Sequence, residues 1–460
     1  MTDFNSAFKN KCLAHFKPAI LAMTIFMILS PTVFADGIMQ DAQFDVMNRN
    51  FHFYRDFREG AYNTAGANSQ VDIPEKEGYR SEWAHGIVAN FKSGFTDTPI
   101  QVGFDAYAMA AIKLYSDEYK TGTTLLEFDP ATGKAKSMNA EVGGSVKLKY
   151  KDTTLTYGNQ FPNTPVLAVS TVRLLPSTAT GVSIQNKSFD HLTINAAHFY
   201  RMNPVETTEN LNYFTTDYAA GIASNSMSYI GGSYKPKNIA YTVYASELED
   251  VWNQYFVGIN GVKSLPREGH ALRFATANYY NTETGKKTGG DISALALSGL
   301  VGYQIGKQTF SLGYQQIIGD EPFDWVGFKS MGANTSILNA AQYATFSEAN
   351  EKSVQLKYEA DLSAIGLNGF SFMGRYLYGW DIDNADSKNL IYTRNGNHVY
   401  DREIDYTHWE RDLTLAYKVP TGFAKGLDIK LRQATHRATK GYRYNDVDEL
   451  RVILEYSLSF

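Results

Sequence analysis

Strict alternation of apolar and polar side chains near the C-terminus constrains the fold more than any other feature. Three apolar residues alternate with three charged ones just after position 426: Leu427, Ile429 and Leu431 against Asp428, Lys430 and Arg432. The last ten residues repeat the pattern and place five large apolar side chains on one face: Val452, Leu454, Tyr456, Leu458 and Phe460. Alternation with a period of two predicts β-strands that bury one face.

The same alternation recurs between turn signals along the whole chain after residue 35, and no segment there indicates a helix of fifteen residues. A sheet that turns its apolar face to lipid and its polar face to a wet interior is a membrane barrel. A membrane strand needs roughly 9–11 residues. We therefore expect one all-β domain, a transmembrane antiparallel β-barrel of about 18 strands, which is wide enough to leave an aqueous channel.

The N-terminus has the features of a secretory signal. Lysines precede an apolar run from Ala19 to Leu29, and Val33-Phe34-Ala35 supplies a small-x-small cleavage site. The apolar run is too short for a typical membrane anchor. We predict a signal peptide at residues 1–35 and a mature barrel domain at residues 36–460.

Composition agrees with an exported barrel. The one cysteine, Cys12, lies in the predicted signal, so the mature chain has neither disulfides nor thiolate metal sites. Aromatic residues make up 14% of the chain, which fits the two aromatic girdles of a barrel at the membrane interfaces. The formal net charge is −5 and there is no lysine-rich block, which argues against a nucleic-acid partner.

Two long segments depart from the strand pattern. The segment from Gly158 to about Ser183 contains three prolines, and the segment from Gly319 to about Glu351 begins with GDEPFDWVGF. Loops of this length are usually functional or disordered, and their apolar content argues against disorder. We expect both to fold inward and narrow the lumen; loops outside the barrel mouth are the alternative.

Parity places four basic residues on the polar, lumenal face: Arg375, Lys430, Arg432 and Arg451. The opposite facing would cost each about 2–4 kcal/mol at the bilayer midplane. A row of cations in a narrow tube would attract anionic groups, or the same cations would only pair with lumenal carboxylates such as Glu455 and Asp428 to brace the wall.

Catalytic signatures are missing from the sequence. The nine histidines show no HExxH spacing, and no G-x-S-x-G motif occurs. We expect no enzyme and no cofactor. The main alternative to a porin is a non-conducting barrel for adhesion or surface structure, which predicts a plugged lumen.

Several motifs, in order along the chain, resemble the OprD family of outer-membrane carboxylate channels. They include Asn48-Arg49-Asn50-Phe51, SGFTDTPIQVGFDAYAMAAIKL, Arg173-Leu-Leu-Pro176, Gly319-Asp-Glu-Pro-Phe-Asp324 and Trp409-Glu-Arg-Asp412. The resemblance implies an 18-stranded porin of the Gram-negative outer membrane. Its third and seventh loops would constrict the pore beside a ladder of basic residues.

The resemblance also implies passive uptake of small carboxylate-bearing solutes: amino acids, aromatic or other organic acids and, in some members, carbapenem antibiotics. By motif position, the ladder residues are Arg375, Lys430, Arg432 and Arg451, and Arg173 is the arginine of the third loop. Asp320 and Asp324, joined by Glu321, form the acidic side. The implied partners are carboxylate or zwitterionic solutes, outer-membrane lipid and lipopolysaccharide, and the implied assembly is a monomer.

Overall fold

The computed structural model describes residues 35–70, 78–219, 221–393 and 399–460. Eighteen antiparallel strands form one sheet in these residues, and the first strand pairs with the last to close it into a barrel, from Asp45 opposite Ser459 to Phe57 opposite Val447. The prediction of an all-β barrel of about 18 strands is confirmed. The predicted signal peptide covers residues 1–35. Residues 1–34 lie outside the described residues, so the signal peptide stays a prediction.

The barrel strands follow one another around the sheet in chain order. They are β1 (Gln43–Phe57), β2 (Tyr79–Lys92), β3 (Gln101–Ser116), β4 (Met138–Tyr150), β5 (Thr153–Gln160), β6 (Thr178–Phe189), β7 (Leu192–Asn203), β8 (Met227–Tyr234), β9 (Ile239–Leu248), β10 (Trp252–Ser264), β11 (His270–Glu283), β12 (Ser293–Ile305), β13 (Gln308–Ile318), β14 (Lys352–Asp361), β15 (Phe370–Trp380), β16 (His408–Lys418), β17 (Asp428–Ala438) and β18 (Val447–Ser459).

Helical structure is confined to short segments among the described residues. Two α-helices cover Ala35–Gln40 and Leu390–Thr393, and two 3₁₀ turns cover Gly66–Gln70 and Leu362–Ile365. None of the described helices is long and apolar enough to cross a membrane.

The outward face of the strands is apolar, as the alternation predicts. Large hydrophobic side chains such as Val243, Val301, Leu312 and Leu356 are more than half exposed, although their neighbours in sequence point inward and are more buried. This surface faces lipid in a membrane barrel.

Both long segments fold into the lumen, as predicted. The second spans residues 319–351, between β13 and β14, and is called the long inward loop below. The first is shorter than expected, because Thr153–Gln160 and Thr178–Phe189 are barrel strands. The predicted bounds of 158–183 are therefore wrong, and the short inward loop comprises residues 161–177.

Two clusters of buried apolar residues fix these loops to the barrel wall. Leu174 and Leu175 of the short inward loop pack with Phe51 and Phe53 of β1. Gly86 of β2 permits this approach, because a Cβ there would lie 2.8 Å from Cγ of Leu174. The larger cluster packs Phe323, Trp325, Phe328 and other residues of the long inward loop against β7–β12.

A second small sheet joins the long inward loop to the connection between β7 and β8. Its four strands are ordered Ala223–Ser224, Phe214–Thr216, Val326–Phe328 and Met331–Gly332. This pairing holds the long inward loop through backbone hydrogen bonds as well as through side-chain packing. The long inward loop begins at Gly319, whose φ of 138° favours glycine.

Candidate functional site

Interior side chains of β15–β18 and β1 bring the predicted basic residues onto one wall. Strand register places Arg55 opposite Glu449, Arg375 opposite Asp412, and Arg432 opposite Arg451. Lys430 lies two residues from Arg432 along β17, which is about 7 Å of strand. The sequence-based facing of all four predicted barrel cations thus agrees with the structure, which brings them together on adjacent strands.

Three of the basic residues on this wall belong to a buried ion-pair cluster, defined here as Arg55, Glu449, Arg451, Asp412 and Arg375. Nη2 of Arg55 lies 2.7 Å and Nη2 of Arg451 2.6 Å from the carboxylate of Glu449. Nη2 of Arg375 lies 2.7 Å from Oδ2 of Asp412. Arg451 is 2% exposed and the side chains of both acids are fully buried, so these charges are satisfied mainly by one another.

The cluster also holds the long inward loop against the wall. Gln342 of that loop donates its backbone N–H to Asp412 (3.1 Å) and its side-chain amide to Glu449 (3.0 Å). Its carbonyl accepts from Arg451 (3.2 Å), and the carbonyl of Ala340 accepts from Arg375 (3.0 Å). Arg375 and Arg451 therefore anchor a loop, which is the bracing role weighed above for the lumenal arginines.

Lys430 and Arg432, called the open basic pair, differ from the cluster. Arg432 is half-buried, and within the described parts of the chain its side chain makes no ion pair or hydrogen bond. Nζ of Lys430 lies 2.7 Å from Asp428, and its side chain is 37% exposed. Arg432 is thus the predicted barrel cation whose donors remain available.

Arg173 lies in the short inward loop, as the sequence predicts, but it is buried. Its Nε donates to the carbonyl of Thr123 (3.0 Å) and to Oγ1 of Thr124 (2.6 Å). Its guanidinium carbon lies 5.3 Å from the ring centre of Phe53. Arg173 therefore joins the short inward loop to the connection between β3 and β4.

Arg49 and Arg55 of β1 are interior basic residues whose facing the sequence did not predict. Arg49 lies 2.6 Å from Glu455 and donates to the carbonyls of Thr171 (3.3 Å) and Arg173 (2.5 Å) in the short inward loop. Outward positions of β1 carry Asn48, Asn50 and His52, and this polar outward face hides the alternation that would have shown which way the arginines point.

The predicted acidic residues of the long inward loop fall in different environments. Asp324 is 1% exposed. It accepts hydrogen bonds from five donors: the N–H groups of Asp217, Tyr218, Ala219 and Trp325 and the hydroxyl of Tyr392. Burial raises the pKa of Asp324. The structure thus makes Asp324 an anchor between loops rather than a residue on the pore surface.

Asp320 remains exposed, and among the described residues its one hydrogen-bond donor is the amide of Asn350, at 3.4 Å. Glu321 accepts from the hydroxyl of Ser387 at 3.0 Å, and burial raises the pKa of its carboxyl. Asp320 is therefore the more accessible acid of the predicted group. Binding of solutes by any of the seven predicted residues stays a prediction.

The wall formed by β10–β13 is uncharged where it meets the long inward loop. Gln254 and Asn281 donate to the carbonyl of Asp324 at 3.3 and 2.8 Å, and Gln315 donates to the carbonyl of Phe346 at 2.6 Å. Beside the short inward loop lies a cavity of about 780 Å³, lined by apolar side chains, amides and hydroxyls and by the charged Arg49, Lys92 and Asp105. In the described residues no group of three His, Cys, Asp or Glu side chains could hold a metal ion.

Known proteins resemble this chain along nearly its whole length. The family model described as "outer membrane porin, OprD family" matches residues 36–460. Porin D of Pseudomonas aeruginosa is 33% identical over 432 residues, with 92% of each chain covered. The crystal structures of P. aeruginosa OccK9 (OpdG) and of OpdK with vanillate superpose with TM-scores of 0.80 and 0.77. Each is 26% identical, with 92% of this chain and 100% of the other covered.

Proposed function

The chain belongs to the OprD family of outer membrane porins and forms a multi-pass β-barrel of the Gram-negative outer membrane; from that premise we propose that it admits small carboxylate-bearing solutes past the open basic pair. The passage is passive diffusion, without a cofactor or energy coupling. Arg432 is the residue to which we assign most of the solute contact.

The observation that carries this proposal is the free guanidinium of Arg432. It lies on the interior face of β17, and among the described residues nothing pairs with it. A guanidinium presents its donors in a planar fork that matches a carboxylate. Arg375 donates to Asp412 and to the long inward loop, and Nη2 of the buried Arg451 contacts Glu449 and the same loop. Both therefore contribute through the field and through the shape of the constriction.

The arrangement supports weak, successive binding better than one tight site. Lys430 and Arg432 are about 7 Å apart along one strand, and a solute carboxylate could pass from one to the other. Conduction requires sites that attract the solute yet release it. The charge of Lys430 is largely compensated by Asp428, which keeps that step weak.

The solute class follows from the cations and from the likeness to relatives. The structure of OpdK contains vanillate, an aromatic carboxylate, and we extend aromatic acids to this chain together with amino acids. For a zwitterion, the exposed Asp320 is the acid that we assign to its ammonium group. Asp324 is not proposed for this role because its oxygens are already occupied.

Single-channel recording in planar bilayers tests the proposal, with the reversal potential measured across a salt gradient. We expect discrete conductance steps, anion preference, and a change in current when vanillate or an amino acid is added. In Arg432→Gln the anion preference and the solute response should both fall. Arg411→Gln is the matched control, because Arg411 lies on the adjacent strand with its side chain exposed on the outer face.

Two results would contradict the proposal. Folded protein that gives no conductance steps would favour the non-conducting barrel. Steps whose selectivity and solute response are the same in wild type and in Arg432→Gln would remove Arg432 from the solute path while leaving the porin intact.

A further inference from the structure

The long inward loop ends at Glu351, whose carboxyl is buried against two histidines. Oε1 of Glu351 lies 2.7 Å from Nε2 of His408, the first residue of β16. Nδ1 of His408 lies 2.9 Å from Nε2 of His436 on β17. Nδ1 of His436 lies 2.9 Å from the carbonyl of Asn445. Glu351 is 1% exposed and neither histidine is exposed by more than 1%.

The chain of hydrogen bonds fixes the number of protons. The carbonyl of Asn445 only accepts, so His436 must carry hydrogen on Nδ1 and accept at Nε2. His408 must then carry hydrogen on Nδ1, which leaves its Nε2 bare in the neutral ring. The 2.7 Å contact with Glu351 therefore requires one further proton, on the carboxyl or on the ring.

Loss of that proton would place a carboxylate oxygen against a nitrogen lone pair in a buried site. The described residues shield this contact from solvent, because the ring of His408 is stacked between Phe346 of the long inward loop (4.1 Å between ring centres) and Tyr442 (4.4 Å). An unpaired buried charge is costly. The proton thus holds the loop end to β16 and β17.

Other ionisable groups surround Glu351 without supplying this proton. Glu348, whose N–H donates to Oε2 of Glu351 (2.9 Å), accepts the hydroxyls of Tyr218 and Tyr400. Nη1 of Arg443 lies 3.9 Å from Glu348 and compensates that acid. The hydroxyl of Tyr442 lies 3.1 Å from Nε2 of His408, and Tyr444 packs against Tyr442 and His436.

We propose that Glu351 and His408 are positioning residues for the long inward loop and that they act through a single shared proton. The inference rests on the proposed function, since the loop matters through the pore that it narrows. A few residues earlier, the N–H groups of Tyr343 and Ala344 bind Glu410 of β16 at 2.8 Å each. Loss of the contact between Glu351 and His408 would loosen the part of the long inward loop that carries Tyr343 and Ala344, and with it their contacts with Glu410.

The direction of the pH effect follows from the burial of Glu351. Burial raises the pKa of its carboxyl from 4.5 to about 8. The folded protein therefore keeps a proton that the unfolded chain loses above about pH 4.5. The contribution of Glu351 to the free energy of unfolding therefore falls as the pH rises from there to about 8, and above that pH the loop end loses its proton.

Single-channel recordings of the full mature protein at about pH 6.5 and about pH 9.5 test this inference. We expect wild type to gain current noise and conductance substates at the higher pH. Glu351→Gln should lose this response, because a glutamine amide can donate to His408 and still accept from Glu348, yet does not titrate. Glu359→Gln is the control, because Glu359 lies on β14, the strand that follows Glu351. The side chain of Glu359 is 47% exposed and paired with Lys357, so this variant should show the same pH response as wild type.

A second readout requires no variant. Chymotrypsin should cleave wild type after Phe346 faster at about pH 9.5 than at about pH 6.5, relative to a reference peptide. Equal cleavage, unchanged wild-type recordings, or a Glu351→Gln channel that keeps the pH response would each overturn the inference. The anion preference of wild type and of Arg432→Gln at pH 6.5 tests the proposed function separately, so failure of one proposal can be told from failure of the other.

Discussion

Arg432 and Arg451 are register partners on neighbouring strands and face the same lumen, yet their surroundings assign them different tasks. Arg451 is 2% exposed, binds Glu449 and holds the carbonyl of Gln342. Arg432 is half-buried and, within the described residues, its side chain has no hydrogen-bond or ion-pair partner. The comparison shows that facing the lumen does not by itself make a cation a solute ligand.

The two sides of the barrel differ in a related way. On β15–β18 and β1, charged side chains anchor the long inward loop. On β10–β13, neutral amides such as Gln254, Asn281 and Gln315 anchor the same loop. The long inward loop is thus held between a wall that contacts it through charged side chains and a wall that contacts it through neutral amides.

Glu449→Gln should give the largest effect, since it removes the acid shared by Arg55 and Arg451. Breaking a buried ion pair by removing one partner costs about 3–5 kcal/mol, and two arginines here lose their carboxylate. Denaturant unfolding in lipid bilayers measures this loss. Glu455→Gln is the control, because the side chain of Glu455 is 27% exposed and its loss should cost less. Equal stability of Glu449→Gln and wild type would show that the cluster does not stabilise the fold.

Arg451→Ala should cost less, about 2 kcal/mol, because Glu449 keeps Arg55 as a partner while its contact with Arg451 and the charged hydrogen bond to Gln342 are lost. Arg432→Ala should change the free energy of unfolding by no more than about 0.5 kcal/mol. The same unfolding assay compares the two variants. If Arg432→Ala proves as destabilising as Arg451→Ala, the distinction between the buried cluster and the open basic pair is wrong.

The sequence could predict which side of the barrel wall a side chain faces, but not which residues that side chain contacts. Parity in β17 and β18 sufficed to turn Arg432 and Arg451 inward, because a period of two is a local property of the strand. The burial of Arg451 depends on Gln342 and Phe53, which are far away in the sequence. No local pattern carries that information.

The same limit explains Asp324 and β1. Asp324 reads as an acid in a loop, and only the distant segment 217–219 and Tyr392 make it a buried acceptor. In β1 the outward residues Asn50 and His52 mask the alternation that would have placed Arg49 and Arg55. The barrel itself was predictable because it rests on many repeats of one local pattern, whereas the site rests on single long-range contacts.

Variants of Lys430 and Asp428 should give the smallest changes in anion preference, because the 2.7 Å contact makes the two residues nearly neutral as a pair. Lys430→Gln leaves the carboxylate of Asp428 in the lumen and should lower anion preference slightly. Asp428→Asn frees the ammonium of Lys430 and should raise it slightly. Reversal potentials measure both shifts, which should have opposite signs and be smaller than the shift in Arg432→Gln.

Ionic strength separates this pair from Arg432. The side chains of Lys430 and Asp428 are 37% and 25% exposed, so mobile ions screen them over a Debye length of about 8 Å at physiological salt. The two small shifts should therefore shrink further at about 1 M salt, while the solute response that depends on direct contact with Arg432 persists. If Lys430→Gln instead abolishes the solute response as fully as Arg432→Gln does, the solute binds both residues at once and the open basic pair acts as one site rather than two successive ones.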